Sequence, residues 1–337
     1  MNLYQSEIHR TRRRVLTLIF AIMAGVGLLA LTVIMWFNSS TGPTEAQLAD
    51  AQEIADEMNG EYEECASDEN FFEDSPDWSW ALEDEYYEDY SHEEMCAEFF
   101  TTGSEWVAED FIYTYTFHLD REGVYIIMGA VLVVGLLAML LSASAIGAEW
   151  TSGGMANLLV WHPNRLRVWG AKLGAALTIT AASLVATAIV AFGLLYLTAS
   201  VRGEVGNLNA VWWEDSLEII SRTVALGLGM SVLGASLAML GRHTAIAGGI
   251  IAGYLIIGDL LVRFASIALR IEFPERLSLY TWVEAWLLGR KELFQWTAAG
   301  REETMVITST DAGILIGLVI AGFAVLATWA FAKRDVT

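Results

Sequence analysis

The stretch "GAEWTSGGMANLLVWHPNRLRVWGAKL", at residues 147–173, joins two long apolar runs and decides how the chain is organised. Ser152 is a residue type that caps helix N-termini, and a short helical pattern follows it. Pro163 cannot continue that helix, because proline has no backbone N–H and its ring clashes with the preceding turn. Asn164 can then cap the next helix. The stretch therefore predicts a short helix at a corner between two longer ones.

The short helix carries one apolar stripe. Met155, Leu158 and Leu159 recur at i, i+3 and i+4, so they share a face. An exposed apolar stripe is typical of a docking surface for another protein. The alternative is that the stripe lies against lipid headgroups, and the spacing does not separate the two interpretations.

The apolar residues of the chain are grouped in blocks. They make up 55% of the 337 residues, in runs of the ~20 residues that a helix needs to cross a hydrocarbon layer of ~30 Å. The third run exceeds this minimum, so we expect it to tilt or to project from the bilayer. The pattern predicts an all-α polytopic membrane protein with six transmembrane helices, at residues 15–37, 124–146, 168–198, 217–240, 244–262 and 311–332.

Basic residues indicate the orientation. Arginines precede the first span and open the third, and Lys333 and Arg334 follow the sixth, so the positive-inside rule places both termini in the cytoplasm. With six spans, six basic residues between 263 and 301 would lie on the extracellular side, so this loop does not follow the positive-inside rule. The first run is longer than a signal-peptide core and lacks a nearby cleavage pattern, which favours a retained anchor. Residues 1–14 form either a cytoplasmic interfacial helix or a disordered basic tail.

Residues 38–121 form a strongly acidic segment, predicted to be an extracellular domain between the first two spans. Residues 38–120 contain 25 Asp and Glu without any Lys or Arg, and the remainder of the chain has 16 acidic and 19 basic residues. This segment alone thus accounts for the net charge of −22. Interleaved aromatic residues allow part of it to fold. Cys65 and Cys96, the two cysteines of the chain, predict one disulfide in an oxidising compartment; the alternative is two free thiols.

The acidic charge limits the partners of this segment. It argues against nucleic acid, whose phosphates need basic residues. The carboxylates lack the alternating spacing and the turn glycine of a calcium loop, so we predict no metal site. A solvated acidic face is one interpretation, and attraction of an extracellular protein or a cationic ligand is the other.

Several polar residues fall inside the predicted spans. Thr180, Ser183 and Thr187 share one helical face and are candidates for lining a cavity. Asp259 and Arg263 are one turn apart and predict an intramembrane ion pair, with a substrate or proton role for Asp259 as the alternative. Small residues at four-residue steps, including Gly249 and Gly253, favour close helix packing over a substrate path. Aromatic residues at 264–310 predict extracellular re-entrant or interfacial helices.

The corner at 147–167 and the span after it resemble the signature of the ABC-2 family of ATP-binding-cassette transporter permeases. A glutamate, a small-residue turn, a Leu-Leu pair, a proline and two basic residues stand in the family's places. The resemblance extends to the six-span plan and to the ending "FAKRDV" at 331–336, but not to residues 38–120. The matching residues are Glu149, Gly153, Leu158, Leu159, Pro163, Arg165 and Lys172.

The resemblance implies a type V exporter-like permease fold in a bacterial or archaeal plasma membrane. The corner would be a coupling helix, in which Glu149, Gly153, Met155, Leu158, Leu159, Pro163 and Arg165 contact a separate ABC ATP-binding subunit. The chain would act as a homo- or heterodimer, as the permease subunit of an exporter, without being an enzyme itself. It has no G-x-x-x-x-G-K-[ST] phosphate loop, so we expect the partner ATPase to bind ATP and Mg²⁺.

Two other functions stay open at this stage. One is an ion-coupled secondary transporter that uses Asp259, although no internal repeat of the kind common in that class is evident. The other is a non-transporting membrane sensor that binds a partner through its acidic ectodomain. The second alternative predicts that the corner at 147–167 is dispensable.

Overall fold

A computed structural model of the chain describes residues 3–74, 78–82, 84–87, 90–100, 106–112, 114–269, 271–296 and 301–333. The chain is mostly helical, with one pair of strands in these ranges. The elements are α1 (Leu3–Arg12), α2 (Val15–Asn38), α3 (Glu45–Ser67), α4 (Phe71–Asp74), α5 (His92–Phe100), α6 (Val124–Thr151), α7 (Gly154–Trp161), α8 (Arg165–Arg202), α9 (Ala210–Gly241), α10 (Thr244–Gly253), α11 (Asp259–Leu269), α12 (Leu279–Leu288), β1 (Arg290–Trp296), β2 (Glu302–Thr308) and α13 (Ser309–Lys333).

Six helices are long and apolar enough to cross a membrane, which confirms the predicted number of candidate spans. Several are longer than the apolar runs suggest. The third, α8, has 38 residues, or about 57 Å at 1.5 Å per residue, well beyond the ~30 Å hydrocarbon layer. Their bounds are Val15–Asn38, Leu119–Thr151, Arg165–Arg202, Ala210–Gly241, Thr244–Ser266 and Ser309–Lys333.

The chain divides into two compact units. The membrane unit comprises Met1–Ile34, His118–Val201 and Val205–Thr337. The acidic unit comprises Met35–Phe117 and Arg202–Glu204. The acidic unit is thus inserted in the chain after most of the first span.

Within the membrane unit, α6 and α9 form the most extensive helix–helix contact among the described residues. A Cβ atom on Gly135 of α6 would lie only 3.2 Å from the Cα atom of Gly227 on α9, so small residues let the two backbones approach. Ser142 and Ser231 hydrogen bond across the same pair at 2.7 Å, and both are buried. The predicted close approach at Gly249 and Gly253 is absent from the described chain, since a Cβ atom on either would meet no atom within 4 Å.

The segment 264–310 differs from the expected run of helices. It contains α12, but its second half is an antiparallel hairpin of β1 and β2, with Leu293 opposite Met305. Leu293 and Ile307 are buried against Ala285 and Ala312, whereas the opposite face of the hairpin is exposed. The prediction of helices throughout this segment is therefore wrong. Because the hairpin buries only one face, buried and exposed residues alternate along each strand.

The acidic unit is organised around a disulfide and a group of aromatic side chains. Thr44 caps α3 through a hydrogen bond with Gln47, as its residue type predicts. Cys65 of α3 is bonded to Cys96 of α5, with 5.8 Å between their Cα atoms. The aromatic rings around the disulfide pack edge to face, a geometry that their quadrupoles favour.

Candidate functional site

The corner between α6 and α8 contains the short helix α7. One glycine in a left-handed backbone conformation separates the end of α6 from the start of α7. Gly153 has φ of 71°, a conformation that glycine adopts without the steric cost that Cβ brings to other residues. Ser152, expected to cap α7, instead ends α6, and Gly153 occupies the position before α7. Asn164 caps α8 as predicted, with its Oδ1 atom accepting a hydrogen bond from the Arg167 N–H at 3.0 Å. Pro163 is exposed in the connection between the helices.

The apolar stripe of α7 faces the protein. Met155 is fully buried, and Leu158 and Leu159 are partly buried against the same core. This corrects the expectation that Met155 is a contact residue: its burial contributes roughly 1.5–3 kcal/mol and anchors the helix. The exposed apolar surface of α7 is formed by Val160, 79% exposed, and Trp161, 78% exposed.

Glu149, two residues before the end of α6, lies in a partly buried cluster of five charged side chains, which we call the ionic cluster: Glu7, Arg10, Arg14, Glu149 and Lys172. Lys172 on α8 bridges the two carboxylates, with its Nζ atom 3.0 Å from Glu7 and 2.5 Å from Glu149. Arg10 contacts both carboxylates as well. Glu7, Glu149 and Lys172 are each less than 10% exposed.

Arg14 connects the ionic cluster to the backbone of α6. Its guanidinium donates to the carbonyl oxygens of Ser144 at 3.4 Å and Ala145 at 3.1 Å, and it lies 3.7 Å from Glu149. Burial and the neighbouring Arg10 lower the pKa of Arg14. The cluster holds α1, α6 and α8 together next to α7, so a displacement of one of these helices disturbs buried charge pairs.

The start of α8 is also attached to the end of α13. Arg165 donates to the carbonyl oxygens of Phe331 and Ala332 at 3.3 and 3.4 Å, a favourable position for a cation at a helix C-terminus. The Trp169 indole N–H donates to Thr328 at 2.9 Å. Arg165 therefore has a structural partner within the chain. Residues 334–336 of the ending that resembles the family lie outside the described residues.

The other predicted residues lie in three separate places. Thr180, Ser183 and Thr187 line a groove between α2, α6 and α8. Asp259 and Arg263 form the predicted ion pair at 3.0 Å, but on an exposed surface. Cys65 and Cys96 are in the acidic unit; among the described residues they form, with His92, the only group close enough to hold a metal, and their sulfurs are already joined to each other.

Sequence reasoning missed most of the ionic cluster and the exposed face of α7. Glu7 is the one acidic residue among the first 14 residues, and its position amid basic residues indicates only a local ion pair such as that with Arg10. In the sequence, Arg10 and Arg14 belong to the basic stretch before the first span, which indicates only the orientation of the chain in the membrane. Trp161 is an exposed aromatic directly before the helix ends, which in retrospect marks the outer side of α7.

Comparison with known proteins agrees with this architecture. A sequence model of the ABC-2 family transporter proteins matches residues 1–336, nearly the whole chain. No curated protein and no solved structure matches it. Members of this family are multi-pass membrane subunits that generally work with an ABC ATP-binding subunit. The chain is a membrane protein of the ABC-2 transporter family.

Proposed function

We propose that the chain is the transmembrane permease subunit of an ATP-driven exporter, and that the exposed end of α7 docks on a separate ATP-binding subunit. The observation that carries the proposal is the asymmetry of α7. Its inner face is fixed by the buried Met155, while Val160 and Trp161 are left uncovered beside a polar corner. An exposed tryptophan on a rigid element is typical of an interface hot spot.

The ionic cluster suggests how movement of α7 reaches the spans. Glu149 is five residues before α7 and Lys172 is seven residues into α8, so both helices that flank α7 contribute a buried charge. Separating these charges is strongly unfavourable. A push on α7 is therefore expected to move α6, α8 and α1 as one body and to switch the spans between inward- and outward-facing states.

The remaining parts of the proposal follow from the family and from the distribution of charge. Both termini and α7 are cytoplasmic in this proposal, because the positive-inside rule places the arginines before α2 on the cytoplasmic side. The partner binds ATP and Mg²⁺, and two permease subunits form the transport unit. The exposure of the Asp259–Arg263 pair gives no support to ion-coupled transport, because a coupling carboxylate is expected to face a bundle interior or a cavity.

Co-purification of the full chain from its native membrane tests the proposal. We expect an ABC ATPase to co-purify with the unaltered chain and to be lost with Trp161→Asp. Trp296→Asp is the matched control, because Trp296 is also an exposed tryptophan of the membrane unit, at 70% exposure. Retention of the ATPase by a folded Trp161→Asp variant would contradict docking at α7. Absence of any ATPase from the unaltered chain would contradict the proposed function as a whole.

A further inference from the structure

A lateral groove runs between α2, α6 and α8 in the membrane unit. It has a volume of about 330 Å³, within the range of small-molecule sites. Its walls are mostly apolar or small, with Phe20 and Gly25 from α2 and Leu137 from α6 among them. Thr180 and Thr187 add hydroxyl groups from α8. Because α2 is a candidate membrane span with no buried residue, we expect this wall of the groove to border the hydrocarbon region of the bilayer.

One end of the groove adjoins the ionic cluster. Leu141, Ile179 and Thr180 line both the groove and a small cavity of about 20 Å³ beside Glu149 and Lys172. That cavity is large enough for about one water molecule. The apolar groove therefore lies next to a polar, charged cavity, and this pairing of apolar and polar surfaces suits an amphiphile.

The ionic cluster beside this cavity has an excess of positive charge. Three cations of the ionic cluster share two carboxylates, and the Arg10 and Arg14 side chains keep 45% and 24% of their surface exposed. Arg12 and Arg13 are exposed immediately beside them. Basic residues where a helix enters the membrane attract anionic lipid headgroups.

We propose that this groove binds one anionic membrane phospholipid, with an acyl chain between α2, α6 and α8 and its phosphate at Arg10 and Arg14. The polarity of the two ends fits a lipid better than a second copy of the chain. Among the described residues at this end of the unit, the acidic side chains Glu7 and Glu149 are already ion-paired, so a copy would offer no free carboxylate to the arginines. The inference is independent of the proposed transport function.

A pair of glycines on α2 provides the test. A Cβ atom on Gly25 or on Gly27 would meet no atom within 4 Å, so both positions accept a large side chain. Gly25 lines the groove and Gly27 does not. Gly25→Trp fills the groove, and Gly27→Trp is the matched control that leaves it open.

The measurement is the thermal unfolding midpoint of the purified full chain, titrated with phosphatidylglycerol or with phosphatidylcholine in mixed micelles. A lipid that binds only the folded state raises the midpoint as its concentration exceeds its Kd. We expect phosphatidylglycerol to raise the midpoint of the unaltered chain and of Gly27→Trp, and to leave that of Gly25→Trp unchanged. Arg14→Gln is expected to weaken the response about fivefold through loss of one basic charge.

Three results would overturn the proposal. One is an equal response to phosphatidylcholine, which would mean that the headgroup charge is not recognised. Another is an unchanged phosphatidylglycerol response in Gly25→Trp, which would place the lipid elsewhere. The third is conversion of a dimer to a monomer by Gly25→Trp with unchanged lipid response, which would identify the occupant as a second copy. The glycine pair decides the outcome even where Arg14→Gln fails to fold, because α2 buries no side chain there.

Discussion

Five charged residues from three distant parts of the chain meet where α1, α6 and α8 come together. Glu149 and Lys172 were identified from the sequence because they stand in a recognisable motif. Their partners Glu7 and Arg10 are more than 130 residues away, and no local pattern links a helix before the first span to the end of the second. Long-range pairing of buried charges is therefore the feature of the site that the sequence alone could not predict.

The burial of these charges makes single substitutions costly. We expect Glu149→Gln to lower the free energy of unfolding by about 3–5 kcal/mol, because Lys172 and Arg10 would lose a buried counter-charge. Unfolding of the purified chain in increasing denaturing detergent measures this change. The control is Glu218→Gln, since Glu218 pairs with Arg222 on an exposed part of α9 and should contribute less than about 1 kcal/mol. Equal effects of the two substitutions would contradict the assigned burial of the cluster.

At the scale of helices and strands, apolar patterns are sufficient to predict the membrane spans but do not say what an apolar helix face contacts. Hydropathy predicted the six spans because a helix in lipid must be long and apolar. For α7, the stripe of Met155 was correctly assigned to one face, but a stripe does not say whether it faces the protein or a partner. The hairpin of β1 and β2 was missed because its aromatic residues are equally common in interfacial helices.

Close packing of α6 against the start of α10 gives a prediction for one element. A Cβ atom on Gly147 would lie 2.5 Å from the backbone nitrogen of Thr244, so Gly147→Ala must displace backbone. We expect a loss of about 1–3 kcal/mol, typical of overpacking. Gly129→Ala, on the same helix with no atom within 4 Å of the added carbon, should leave the unfolding midpoint unchanged or raise it. A neutral Gly147→Ala would show that α6 and α10 are not this close.

At the scale of the whole molecule, the chain is two compact units with different sources of stability. The membrane unit depends on helix packing and buried charge pairs. The acidic unit has the high negative charge and one covalent link, Cys65–Cys96, across a sequence separation of 31 residues. The cysteine count predicted this link correctly, because two cysteines in one segment allow one internal pairing.

Removing the disulfide should therefore act on one unit. We expect Cys65→Ser combined with Cys96→Ser to destabilise the acidic unit by about 3–4 kcal/mol through the greater freedom of its unfolded state. Limited proteolysis should show cleavage within residues 38–117, while gel filtration in detergent still shows a monodisperse membrane unit. Loss of both units together would mean that they fold as one cooperative body.

The proposed function requires the exposed end of α7 to contact an ATP-binding subunit. Photo-crosslinking measures this contact most directly, with a photoreactive phenylalanine analogue placed at Trp161 or, as the control, at Trp296. We expect a covalent product between the chain and an ABC ATPase from position 161 and none from position 296. Equal crosslinking from both positions, or none from 161 in a membrane that contains the active transporter, would contradict the account.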